Sequence, residues 1–303
     1  MATGQSSRVV LASAGATAAL TVFKYVAAAF SGSAGLLAEA VHSTVDTGNS
    51  LLMYFGQRRS AKPPDDLHPF GYGMELYFWT LVVALVMFAV GGVVTVAEGV
   101  ARILHPEELG SPGWGYAVLA ASALFNGYTW VVAVREFRAG QGGKGFWRAL
   151  EHAKDPTTLT VLFEDTASLL GLLAAFLGLL LSQLLENPVF DGAASVVIGL
   201  LLGAVGAGLV WQCKTLIVGE SATAEVKDSV SAIATGDGAV ERVTDLRTMH
   251  LGPRDVLVNM RVRFRDDLPA RAVGEAVDRL ERAIRDKHPE FRRVYIAPAA
   301  RDR

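Results

Sequence analysis

The sequence predicts an all-α bundle of six membrane-spanning helices followed by a small α+β domain. Three observations predict it. Six apolar stretches are each long enough to cross a bilayer, which takes roughly 20 helical residues. Charge is concentrated at the other end of the chain, where residues 218–303 hold 16 of the 28 Lys and Arg and 15 of the 30 Asp and Glu. After Gly219 the hydrophobic spacing alternates between helical and strand periods in the order αββαβ. The expected division is a transmembrane domain over 1–217 and a soluble domain over 218–303.

The spans are expected near 9–30, 38–57, 74–101, 114–134, 157–185 and 193–217. Two are longer than a bilayer demands and imply tilt or extension into water. Between them, segments 58–73 and 135–156 carry Arg58, Arg59, Lys62, Arg135, Arg138, Lys144, Arg148 and Lys154, whereas the alternate loops carry only Arg102. Basic loops stay on the cytoplasmic side, so both termini are expected there. The tract AGQGGKG at 139–145 reads as a flexible loop. Beyond the spans, ATAEVKDSVSAIAT reads as an amphipathic helix. ERVTDLRTMHLGP and DVLVNMRVRFRDD read as strands around a Gly-Pro turn, LPARAVGEAVDRLERAIRDKHPE as a charged helix, and FRRVYIAPA as a closing strand.

Composition excludes several classes. A net charge near −2 offers no basic surface for nucleic acid. The single cysteine, Cys213, rules out an intrachain disulfide and a thiolate metal cluster. The opening MATGQSSRVV has neither the pattern of a signal peptide nor, with Ala2, the glycine of a myristoylation site. Arg exceeds Lys threefold, which suits a GC-rich bacterial source and its inner membrane.

The second span, GLLAEAVHSTVDTGN, contains Glu39, His42 and Asp46 at i, i+3 and i+7, along one helical face. Ionisable groups in hydrocarbon cost several kcal/mol unless something binds or pairs with them. His42 and Asp46, four apart, aim an imidazole and a carboxylate at one point; they read either as metal ligands or as a pair bonded to a neighbouring helix. On the fifth span Glu164 and Asp165 sit mid-membrane, about 100° apart on the helix, so at most one faces a given point squarely. A structural ion pair there needs a buried cation, and Lys24 is the natural partner to consider. One His with two or three carboxylates between helices makes a compact site for a divalent cation. In the loop KPPDDLHPFGYG, Asp65, Asp66 and His68 read either as ligands for an entering metal or as a proline-braced turn with solvated charges. Asp155-Pro156 reads as a helix cap, Glu75, Glu98 and Asp191 as interfacial anchors, Asn126 as an interhelical hydrogen bonder, and His250 and His288 as ordinary histidines.

These residues resemble the cation diffusion facilitator family over essentially the whole chain. SGSAGLLAEAVHSTVDTGN resembles its second-span signature, DDLHPFGYG its loop before span three, and EDTASLLG with NPVFDGAASVVIGLLLG its spans five and six. The resemblance implies a homodimer that exports divalent metal from the cytoplasm in exchange for protons, with a ferredoxin-like cytoplasmic domain holding the dimer together. The expected ligands are His42, Asp46 and Asp165, with Glu164 nearby; Asp65 and His68 match a candidate secondary metal site.

There are departures. The family commonly has a second His-x-x-x-Asp on span five, where Asp165 matches the Asp but Val161 replaces the His; Tyr72 replaces the further loop His, and VYIAPAARDR ends without a terminal His or Cys. The Glu-Asp form resembles a branch with a mitochondrial member. Zinc is the expected cargo, and the high oxygen fraction makes manganese and ferrous iron the alternatives. No cofactor and no enzymatic activity are expected. Two other classes compete: a non-transporting dimeric membrane regulator, and an intramembrane metal-dependent hydrolase, for which no HExxH or paired aspartyl motif is present.

Overall fold

The computed structural model of the protein describes residues 18–106, 112–139, 156–253 and 255–299. The expected start of the first span at residue 9, the loop over 140–155 with Lys144, Arg148, Lys154 and the Asp155 cap, and the last four residues lie outside the described residues. Those described fall into two units, one within Met1–Gly56 and Trp79–Cys213, the other within Gln57–Phe78 and Lys214–Arg303. The loop before the third span thus groups with the C-terminal unit.

The first unit is helical. Its helices are α1 (Ala18–Ser31), α2 (Ala34–Ser60), α3 (Glu75–Leu104), α4 (Pro112–Ala139), α5 (Pro156–Leu184) and α6 (Val189–Val218). The ends of α2 and α3 and the last turn of α6 extend into the second unit. By length and composition, α3, α5 over Leu162–Leu184, and α6 can each cross a membrane. Gly32 adopts φ 66° and donates its N–H to Ala28 O at 2.8 Å, closing α1 as a glycine C-cap. Ser33 then caps α2, its hydroxyl accepting the Leu36 N–H at 3.2 Å. Arg58 and Arg59 in the last turn of α2 complement its negative dipole end. Proline begins both α4 and α5, where its missing N–H costs nothing.

Within this unit Leu36, Leu119, Leu172, Leu179, Ile198 and Leu202 form a buried cluster joining α2, α4, α5 and α6. Large apolar side chains such as Phe23, Phe30, Leu124, Leu173, Leu200 and Trp211 face outward. A soluble monomer rarely exposes so much apolar surface, whereas lipid covers it at no cost. Helix α3 is interrupted by a π-helical stretch, Met87–Val94, which runs beside α6. There Gly92 lies so close to Gly203 that an added Cβ would sit 2.8 Å from the Gly203 Cα.

The second unit contains α7 (Ala224–Thr235), β1 (Val240–Gly252), β2 (Asp255–Phe264), α8 (Ala270–Lys287) and β3 (Arg293–Pro298), the expected αββαβ order. The sheet order is β1-β2-β3, with β1 antiparallel to β2 and β2 parallel to β3 across α8. Val256, Val258, Met260 and Val262 alternate inward along β2 and meet Ala276, Leu280 and Ile284 of α8, spaced i, i+4, i+8. Val230 and Ala234 of α7 complete that core.

Candidate metal centre

The polar stripe of α2 is buried as its spacing predicts. Glu39, His42 and Asn49 are at most 1% exposed, and Asp46 is partly covered. His42 Nε2 lies 3.4 Å from Asp46 Oδ2, close enough for an ion pair but without hydrogen-bond geometry. Both ring nitrogens of His42 and Oδ1 of Asp46 are buried without a hydrogen-bond partner among the described residues. On α5, Glu164 Oε1 accepts a hydrogen bond from Asn49 Nδ2 at 2.8 Å, and Asp46 lies within coulombic reach of both Glu164 and Asp165. The turn after Asp165 is pinned to α4: Asn126 donates to Ser168 at 2.6 Å and the Trp130 indole to Thr166 at 3.0 Å. The interhelical bond expected of Asn126 is present.

Glu39 does not join His42 and Asp46. Its Oε2 pairs with Lys24 of α1 at 3.1 Å, and Lys24 also donates to Ser43 at 2.8 Å. The buried lysine, considered from sequence as a possible partner for Glu164 or Asp165, serves Glu39 instead, because Glu39 and Ser43 lie on successive turns of α2 beside α1. Gly171 of α5 leaves the room this needs, since a Cβ there would run into the Glu39 carboxylate.

Asp191 also departs from the role of an interfacial anchor. It is 3% exposed, and its carboxylate accepts the Ser33 hydroxyl at 2.5 Å and the backbone N–H groups of Ala34 and Gly35. Its own N–H donates to Ser182 of α5 at 2.9 Å. One residue at the start of α6 thereby caps the helix that bears His42 and Asp46.

Among the described residues no three His, Cys, Asp or Glu side chains are gathered closely enough to hold one ion in this conformation. What the helices supply is a set of donors in two halves, one on α2 and one on α5. Asn49, the bridge between them, was not singled out by sequence reasoning, although its place at i+7 from His42 and i+3 from Asp46 was legible.

In the second unit the Asp65 carboxylate accepts the Tyr72 hydroxyl at 2.6 Å and the His68 backbone N–H at 2.7 Å. The Tyr72 bond, with that of His68, holds the Asp65 carboxyl below its usual range, and the same bond pushes the Tyr72 phenol up. His68 Nδ1 is 3.5 Å from Asp65 Oδ1. Tyr72, at the position of the family's further histidine, thus occupies one carboxylate oxygen that a metal there would need. Arg293 of β3 pins the same loop, donating to Phe70 O at 2.9 Å while pairing with Asp255.

Buried donors on two helices of an apolar bundle define an integral membrane protein with an intramembrane ion site as its candidate centre. The chain belongs to the cation efflux family: the profile of the cation efflux transmembrane domain matches residues 10–218. It is 30% identical over 311 residues to the mitochondrial proton-coupled zinc antiporter SLC30A9 of Xenopus laevis, covering 90% of this chain and 56% of that protein. It is 29% identical over 224 residues to metal tolerance protein C4 of Arabidopsis thaliana, covering 72% of this chain and 48% of that one. Against magnetosome protein MamB of Magnetospirillum gryphiswaldense the identity is 24% over 286 residues, covering 92% of this chain and 90% of MamB. The chain thus spans about half the length of the antiporter and the metal tolerance protein.

Proposed function

We propose that the protein exports a divalent cation, zinc first, from the cytoplasm in exchange for protons. His42, Asp46 and Asp165 hold the ion, and Glu164 completes the set. The observation that carries this reading is the orphaned donor set on α2, where two ring nitrogens of His42 and one oxygen of Asp46 are buried with no hydrogen-bond partner among the described residues. Buried polar atoms of this kind are costly unless a ligand uses them. The relatives named as a proton-coupled zinc antiporter and a metal tolerance protein point the same way.

The mechanism follows from the donors. With the site facing the cytoplasm, Asp46 and Asp165 are deprotonated and bind the cation together with neutral His42. Bringing the α2 and α5 halves together completes the coordination shell. After reorientation, protons arriving from outside compete for His42 and a carboxylate and displace the metal. Proton and metal occupy the same atoms in turn, which couples the two fluxes.

Arg58 and Arg59 in the last turn of α2, with Lys62 in the loop after it, support cytoplasmic termini, in the inner membrane of a bacterium. The C-terminal unit, read as ferredoxin-like, holds a homodimer together. Asp65 and His68 form a secondary entry site that a metal reaches by displacing the Tyr72 hydroxyl.

The test is zinc and manganese uptake into proteoliposomes under an imposed pH gradient, with Asp46→Ala and Asp165→Ala as controls. Gradient-driven flux lost in both variants is expected. Absence of flux for either metal in the wild type would sink the transport reading and favour the membrane regulator.

A further inference from the structure

Four residues of α2 carry the buried side-chain atoms that lack hydrogen-bond partners on that helix, and they lie on one stripe: Glu39, His42, Asp46 and Asn49. Glu39 is engaged by Lys24, and His42 and Asp46 belong to the proposed ion site. Asn49 remains. It is 1% exposed, its Nδ2 donates to Glu164 Oε1 across the α2–α5 contact, and its Oδ1 is buried with no hydrogen-bond partner among the described residues.

A role as interhelical glue accounts for only half of this side chain. The bond to Glu164 uses one N–H, while the amide oxygen stays desolvated at a cost of about 1–3 kcal/mol. With Nδ2 engaged by Glu164, the amide oxygen is the atom left open among the described residues. Asn49 stands one turn beyond Asp46 and two beyond His42, so the open oxygen lies on the stripe that carries the orphaned atoms of both.

We propose that Asn49 is a further residue of the ion site, whose Nδ2 positions Glu164 and whose Oδ1 supplies a neutral oxygen donor to the cation. This rests on reading His42, Asp46, Glu164 and Asp165 as that site. The donor has a consequence for selectivity. Zinc is satisfied by four ligands in a tetrahedron, whereas manganese takes more ligands and prefers oxygen. An amide oxygen added to one imidazole and the carboxylates raises both the ligand number and the oxygen fraction. Asn49 therefore broadens the site toward Mn2+.

The experiment is calorimetric titration of the purified full-length protein in detergent with ZnCl2 and, separately, MnCl2. Wild type is compared with Asn49→Leu, which keeps the bulk but loses both polar atoms, and Asn49→Asp, which keeps an oxygen donor. In Asn49→Leu, Mn2+ affinity is expected to fall about tenfold or more, on the scale of losing a group that supports a metal site. Zn2+ affinity is expected to fall distinctly less, and Asn49→Asp to retain Mn2+ binding. Equal losses for the two metals, no loss, or a larger loss for Zn2+ would overturn the proposal. Should gel filtration show Asn49→Leu to be misfolded, Asn49→Asp decides: weakened Mn2+ binding relative to Zn2+ overturns the role of the oxygen, and retained binding supports it. A wild type that binds neither metal would bring down the ion-site reading and this inference with it. A wild type that binds both while Asn49→Leu is unchanged would bring down this inference alone.

Discussion

The carboxylate of Asp191, near the start of α6, accepts the backbone N–H of Ala34, the first residue of α2. A side chain 157 residues away thus completes the cap of the helix that carries His42 and Asp46. Helix N-termini leave four donors unpaired, and in an apolar bundle water does not supply the partners. The start of α2 is consequently set by α6 and, through Ser182, by α5.

Removing that carboxylate should destabilise the first unit. Asp191→Ala is expected to cost about 1–3 kcal/mol, the penalty for leaving buried donors unsatisfied. Asp191→Asn retains one acceptor oxygen and should cost less. Thermal unfolding of the two variants in detergent, side by side with wild type, measures the difference; equal melting temperatures for all three would show that the cap is dispensable.

The Lys24–Glu39 pair predicts strong non-additivity. Lys24→Met strands a buried carboxylate, and the cost is expected to be about 3–5 kcal/mol. Replacing both partners, Lys24→Met with Glu39→Gln, removes both charges together and should recover much of that loss. A double-mutant cycle on thermal stability reads the coupling, and simple additivity would show that the two charges do not depend on each other.

Gly92 and Gly203 face each other across α3 and α6 but are not equivalent. A Cβ on Gly92 meets the Gly203 backbone at 2.8 Å, whereas a Cβ on Gly203 comes no nearer than 3.6 Å to Gly92. Gly92→Ala should therefore destabilise by about 1–3 kcal/mol through overpacking, and Gly203→Ala should be tolerated. Melting temperatures of the two single variants test the asymmetry directly.

In the C-terminal unit, Arg279 donates two hydrogen bonds to Asp237, at 3.1 Å each, and holds its carboxyl below the ordinary range. A carboxylate depressed in the folded state contributes stability above its unfolded pKa, near 3.9, and loses it as pH falls through the folded value. The pair is partly exposed to solvent, which screens it and keeps the contribution small. Asp237→Asn should lower stability slightly at pH 7, and the difference should vanish in acid as pH falls through the lowered pKa of the folded carboxyl. Denaturant titrations of the full chain at pH 7 and across the acid range provide the measurement.

The proposed ion site was only half legible in one dimension. His42 and Asp46 announce themselves because a four-residue spacing on an apolar helix can be read without knowing the neighbours. The αββαβ unit was legible for the same reason, since period-2 and period-3.6 patterns such as β2 and α8 are local properties. The partner of Lys24 was not legible because a buried cation has several carboxylates to choose from in sequence, and only helix adjacency selects Glu39. Tyr72 was visible as the replacement of a histidine, but not as the group that bonds Asp65.

By itself the sequence determined the apolar spans, the placement of charge at the C-terminal end, and which helices carry ionisable groups. Those follow from transfer energies and periodicity, which depend on each residue and its near neighbours. The tertiary structure alone decided that Lys24 neutralises Glu39, that Asp191 caps α2, and that Asn49 joins the two halves of the candidate site through Glu164. Each is a contact between distant segments, and a desolvated polar atom takes whichever partner the packing of helices brings within hydrogen-bond reach.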